Sequence, residues 1–245
     1  MSAAAEAPLA RLATLPWRLL RRLWRRATDP AYRHVLRLNR QPPNDAFQPF
    51  NNTRAERYPH IFRFVQQALG ADSALRILSF GCSTGEEVFT LRRYFPRASI
   101  KGIDINPGNI DACRKSLAQA ADDGLTFALA ASTAAEAAAA YDAIFCMAVL
   151  RHGGLKAPGV TRCDHLLRFA DFAATIEDFK RCLRPGGLLA IRHSNFRLCD
   201  TPAAANFETA LSVPYPAEIN LPIFGPDNRL MEGVRYPDTV FRKRP

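Results

Sequence analysis

The stretch from Arg76 to Leu91, RILSFGCSTGEEVFTL, holds the residues best able to do chemistry. A short apolar run leads into a turn bracketed by Gly81 and Gly85, and Glu86 and Glu87 follow where a helix should begin. Such a turn can cradle a phosphate, because main-chain N–H groups and the positive end of the helix dipole converge there. Two carboxylates are comfortable at that end, but they would repel a pyrophosphate. The spacing is Gly-x-x-x-Gly, not the G-x-G-x-x-G of a dinucleotide turn. Asp104 lies 19 residues after Gly85, at the end of the next apolar run. An acid there accepts hydrogen bonds from the hydroxyls of a ribose. Together the acids call for a ligand that has a ribose and positive charge but no phosphate.

Two histidines could serve an acceptor. His152 follows the run YDAIFCMAVL (141–150) and His193 ends LLAIRHS (188–194). If both runs are parallel strands, the two fall on one carboxyl edge, as a general base, as contacts to the acceptor, or as hydrogen-bonded histidines without chemistry. Cysteines 82, 113, 146, 163, 182 and 199 form no C-x-x-C pair and have no histidine at zinc-ligand spacing. They read as reduced, mostly buried thiols, and no metal is expected. Cys82 in the turn reads as a small residue, not a nucleophile, since no histidine is near it in sequence.

These residues need a scaffold that gathers strand ends. RYPHIFRFVQQALG (57–70) sets Ile61, Phe62, Val65 and Leu69 on one helical face. Strands are expected at 76–80, 99–105, 125–130, 141–150 and 188–194, and helices at 86–95, 107–120, 132–140 and 166–183. This alternation predicts an α/β fold with a mostly parallel sheet covered on both faces and ligands at the carboxyl ends of its strands. The glycine- and proline-bearing stretch 153–172 is expected to form a lid over that edge. LPIFGPDNRLMEGVRYPDTVFRK is expected to form an antiparallel hairpin around its Pro-Asp-Asn turn.

The 245 residues suffice for one such domain with an appendage, and 48% hydrophobic with 23% charged residues is an ordinary globular balance. No uncharged apolar run is long enough to cross a membrane, and no cleaved leader is expected. The net charge of +10 is uneven: residues 1–40 carry nine arginines against Glu6 and Asp29. We therefore read 1–40 as a basic arm and 41–245 as a single domain. In the arm, residues 16–27 separate a tryptophan-leucine face from an arginine face, so this helix either lies on an anionic membrane surface or packs on protein. The expected location is the cytoplasm, peripheral on the inner membrane face if the helix lies on a membrane and free of it if the helix packs on protein. Nucleic acid is disfavoured as partner, because the charge is concentrated in one helix and no [DN]-P-P-[YF] motif follows the fourth strand.

A ribose without phosphate, an ammonium and a sulfonium describe S-adenosylmethionine. ILSFGCSTGEEVFTL, GIDINPGNIDACR, YDAIFCMAVL and LRPGGLLAI resemble class I S-adenosylmethionine-dependent methyltransferases. GCSTGEE is most similar to the first motif of the chemotaxis-receptor (CheR-type, protein-glutamate) methyltransferases. The resemblance implies a Rossmann-like fold with a seven-stranded, mostly parallel sheet and an antiparallel C-terminal hairpin. It also implies a cofactor site of Gly81, Cys82, Ser83 and Gly85 in the turn, with Glu87 facing the cofactor and Asp104, beside Ile105, on the ribose. Arg54 matches an arginine that helps hold the methionine carboxylate, and is equally readable as a loop arginine. Met147 and Ala148 stand where the receptor enzymes carry Arg-Asn beside cofactor and substrate. Ser132 is a candidate at the adenine and equally a plain N-cap. The expected acceptor is a small molecule, a glycan or a lipid-linked substrate. A protein glutamate and a non-catalytic cofactor-binding module are the alternatives.

Overall fold

A computed structural model describes residues 15–29, 32–33, 36–37, 47–48, 53–70, 74–216, 219 and 221–245. The expected boundary at 40/41 and most of the segment around it lie outside the described residues.

Helix α1 (Leu15–Thr28) is the amphipathic element of the arm, and Thr28 Oγ1 donates to the Trp24 carbonyl near its end. Helix α2 (Pro59–Leu69) starts at the proline and buries Ile61, Phe62 and Val65. Then β1 (Arg76–Phe80), α3 (Glu86–Tyr94), β2 (Ser99–Asp104), α4 (Pro107–Ala120), β3 (Leu125–Leu129) and β4 (Tyr141–Met147) alternate. Helix α5 (Phe169–Cys182) and β5 (Leu183–Arg192) follow, and β6 (Phe207–Ser212) and β7 (Asp238–Lys243) end the sheet. The strand order is β3-β2-β1-β4-β5-β7-β6. β1 to β5 are parallel, while β7 runs antiparallel to both β5 and β6. The order reverses between β1 and β4, and a cleft opens there at the carboxyl ends.

Each face of the sheet carries its own apolar layer. On one side Ile61, Phe62, Val65, Val88, Leu91, Phe95 and Phe145 pack together; on the other lie Leu78, Ile144, Phe172, Ile176, Phe179 and Phe196. All are essentially solvent-free, so β1 and β4 are central strands buried on both faces. Helix α4 begins as its sequence requires: Asn106 Oδ1 accepts from the Gly108 N–H at 2.9 Å and Pro107 occupies the first turn.

Two expectations need correction. Residues 132–140, STAAEAAAA, form turns and not a helix. Arg181 takes the carbonyls of Thr133 and Glu136 at 2.8 and 2.6 Å, and Glu136 is tied to Lys101 and Tyr141, so tertiary bonds override alanine's helix propensity. In the C-terminal stretch DTVFRK is a strand, but its partner is Phe207–Ser212, while residues around 224–230 make only a small turn with a Phe224–Leu230 bridge. The 153–172 stretch lies pinned: the Cys163 N–H donates to the Asn228 carbonyl, the Phe169 N–H to Asn228 Oδ1, and Leu155 and Leu167 are buried.

Candidate active site

The turn between β1 and α3 is shaped by contacts as close as its glycines allow. Gly81 has φ +73, and a Cβ there would stand 2.4 Å from Val149 Cγ2. The N–H groups of Gly81 and Cys82 both donate to the Ile103 carbonyl, at 2.8 and 2.9 Å, so the turn is fastened to β2. Ser83 also has a left-handed backbone, φ +52, and its N–H donates to Asp104 Oδ2 at 2.8 Å. Cys82 is buried, and its pairing with Cys113 together with burial holds its thiol well above the usual range. It is packing and not a nucleophile.

Asp104 ends β2 almost fully buried. Besides Ser83, the Asn106 N–H and Asn109 Nδ2 donate to it, both onto Oδ1, at 2.8 and 2.9 Å. Burial raises its pKa, and these three donors offset only part of that rise. Oδ2 carries one donor and can accept another. Across the turn, Glu87 projects from the first turn of α3 and accepts from buried Ser79 Oγ at 2.8 Å. Desolvation pushes its pKa up to about 7, against the pull of Ser79 and Arg57. Glu87 is thus a carboxyl that shares its proton near neutrality, and a cation beside it would complete its ionisation.

Arg54, Gly81, Cys82, Ser83, Glu87, Asp104, Ile105, Met147 and Ala148 line one cleft. Gly85 and Ser132 do not. Gly85 is the left-handed residue from which α3 starts, φ +96, and Ser132 Oγ accepts from the Ala134 N–H at 3.4 Å. Ala130 and Ala131 supply the wall on that side. His152 stands apart from the cleft lining, where Nδ1 accepts from the Gly154 N–H at 3.1 Å and its own N–H donates to Asn195 Oδ1 at 2.8 Å. His193 follows β5 with φ +58, one ring away from the cleft: its centroid is 5.8 Å from that of Tyr58, which lines it.

Tyr58, Arg57 and Asn109 are wall residues that sequence reasoning did not single out. Only Tyr58 left a signal, as the residue ahead of a helix-opening proline. Its hydroxyl and that of Ser83 are buried with no hydrogen-bond partner among the described residues. Two orphaned hydroxyls, a carboxyl receptive to positive charge and a carboxylate with an accepting position left suit a cationic, ribose-bearing ligand.

The sheet order, with its reversed last strands, is the Rossmann-like arrangement of class I S-adenosylmethionine-dependent methyltransferases, and an acid-lined cleft opens after β1 and β2. Residues 71–222 match the family model described as a methyltransferase domain. The chain belongs to that family, and its cofactor is S-adenosylmethionine. None of the curated proteins matches the chain. Among solved structures it is similar to the YcgJ protein of Bacillus subtilis, with 12% identity, 55% of this chain and 50% of that one covered, and a TM-score of 0.41. It is similar as well to phosphoethanolamine N-methyltransferase 2 of Haemonchus contortus (15%, 55% and 27%, 0.41). A third is the geranyl diphosphate C-methyltransferase of Streptomyces coelicolor A3(2) (14%, 54% and 44%, 0.40). The chain spans about half the length of the first solved structures it matches. Likeness at this level leaves the weight on the chain's own residues.

Proposed function

We propose that the chain moves a methyl group from S-adenosylmethionine to a small molecule, a glycan or a lipid-linked acceptor. The observation that carries this reading is the pair of acids across one turn, Glu87 with its raised pKa and Asp104 with its open acceptor position. When bound, S-adenosylmethionine supplies an electrophilic methyl group on a sulfonium. The chain's own part is to hold and orient. Asp104 would accept from the ribose hydroxyls, Glu87 would face the ammonium, Arg54 on the cleft rim would meet the carboxylate, and Ile105, Met147 and Ala148 would wall the rest. Orientation of this kind can supply most of the catalysis of an in-line displacement. His193 is the better placed of the two histidines to take a proton from the acceptor, because it stands one ring from the cleft while the Nδ1 of His152 is occupied. Calorimetry with S-adenosylhomocysteine tests the reading. Binding by the wild-type chain that is lost in Asp104→Ala is expected; no binding, or equal binding, would overturn it.

A second reading, methylation of a protein glutamate, is favoured by the GCSTGEE heptapeptide. Against it, Met147-Ala148 offers no charged side chain beside the cleft, and we prefer the small acceptor.

We propose further that α1 holds the protein at an anionic membrane surface on the cytoplasmic side. What supports this is a row of solvent-facing apolar residues, Trp17, Leu19, Leu20, Leu23 and Trp24, each more than half exposed, on a helix whose remaining positions are mostly arginine.

A further inference from the structure

A second cluster adjoins the cleft on the far side of Tyr58. The Tyr58 ring has the Arg57 guanidinium carbon 5.1 Å from its centroid and the His193 ring 5.8 Å away. The His193 ring is 5.3 Å from that of Tyr215, over which the Arg192 guanidinium carbon sits at 3.5 Å. Arg151 lies two residues after Val149, which lines the cleft, and its N–H donates to the Val149 carbonyl at 2.7 Å; its charge acts on Tyr58, Tyr215 and His193 alike.

The arginines differ in what they leave open. Arg192 is buried and both of its Nη atoms are engaged: Nη1 on the Val213 carbonyl and Thr239 Oγ1, Nη2 on the Pro214 carbonyl. Arg151 is half-buried, and its Nε is shut off from solvent with no partner among the described residues. Neither forms an ion pair among the described residues. A guanidinium held partly out of water without an ion-pair partner is costly, and an oxyanion arriving at its solvent-exposed part would offset that cost through charge.

We infer that this cluster is the acceptor subsite, and that it takes an oxyanion, a carboxylate or a phosphate ester, against Arg151, as the handle that orients the acceptor. The inference rests on the methyltransferase reading of the adjoining cleft. Oxygens paired with a guanidinium are poor nucleophiles, so the handle is not the atom methylated. The handle has a second effect. Burial and then Arg192, Arg151, Arg57 and Lys156 push the pKa of His193 down to about 3, which leaves it neutral but weakly basic. An anion beside Arg151 offsets part of that field and restores basicity to His193 once the acceptor is seated.

The full chain, saturated with S-adenosylhomocysteine, is titrated with four probes of like shape: benzoate, phenyl phosphate, benzyl alcohol and benzylamine. One of the anions is expected to bind about tenfold tighter than the alcohol and the amine, and which anion wins identifies the carboxylate or the phosphate. Arg151→Gln is expected to erase that preference, and Arg151→Lys to keep part of it, with S-adenosylhomocysteine affinity changed less than about twofold in both. A measurement without any variant runs beside it: the winning anion should protect Arg151 of the wild-type chain from phenylglyoxal, read by mass spectrometry of its peptide. Equal binding of all four probes, an anion preference that survives Arg151→Gln, or no protection at Arg151 would overturn the subsite. Failure of the wild-type chain to bind S-adenosylhomocysteine would instead overturn the cleft reading on which it stands.

Discussion

Single residues in the turn after β1 separate backbone needs from chemical ones. Gly81 answers to both φ +73 and the wall of Val149. Gly81→Ala should lower stability by about 2 kcal/mol, from a left-handed alanine plus overpacking, as read by urea denaturation. Adding Val149→Ala should recover the packing share and leave the conformational share in place. Glu87 makes a different prediction, because its folded pKa of about 7 lies above its ordinary value of 4.5. A raised carboxyl pKa means that the folded chain binds the proton more tightly, so its stabilising effect is complete at low pH and is lost as pH rises through about 7. A cationic donor favours the ionised carboxyl. Affinity for S-adenosylmethionine should therefore climb between about pH 6 and about pH 8 and then level off. In Glu87→Gln the calorimetric affinity should be weaker and flat over that window; an unchanged slope would remove Glu87 from the ammonium's surroundings.

Elements show where local pattern suffices and where it does not. The strand at 76–80 and the helix at 107–120 were legible to the residue, because a double-sided apolar run and an Asn-Pro start leave little else to adopt. The alanine-rich 132–140 was not, since its fate depends on Arg181, a residue 45 positions beyond Glu136. The partner of β7 was not either: 207–212 and the stretch near 224 are both short and weakly patterned, and the pairing is long-range. At the site, acids and glycines carried their chemistry in local motif, whereas Arg151 and Tyr215 come from distant segments and had no sequence signal, and Tyr58 had only its place ahead of a helix-opening proline. Helix α1 allows a test at this scale. The chain should float with vesicles containing an anionic lipid and fail to do so when it begins at residue 41, or when Trp17 and Trp24 are both changed to Ser. Equal flotation of all three would remove the helix as an anchor. High salt should weaken the binding without abolishing it, because arginine attraction is screened and tryptophan burial is not.

At the scale of the whole molecule, the cleft joins parts that the sheet alone does not hold together. Its walls come from the 53–58 segment ahead of α2, the turn after β1, the ends of β2 and β4, and the alanines after β3. The first of these is joined to the rest at several points: the Glu56 N–H reaches Thr90 Oγ1 at 3.4 Å, the Glu56 carboxylate meets Arg93 and Tyr94 at the surface, and the Tyr58 ring packs against Phe62 and His193. A ligand that touches all of these walls should therefore stabilise the protein both globally and locally. At a hundredfold excess over its dissociation constant, S-adenosylhomocysteine should add about 2.7 kcal/mol. For a chain of this size that corresponds to a rise of roughly 5–10 °C in melting temperature. Hydrogen exchange should slow in 53–58 as well as in 81–90, because a ligand that fills the cleft bridges the two segments. Asp104→Ala should lose both effects at the same ligand concentration. Protection confined to 81–90 would mean that the ligand sits on the sheet edge without Tyr58 and Arg54, and the acceptor subsite beyond Tyr58 would then lack its link to the donor.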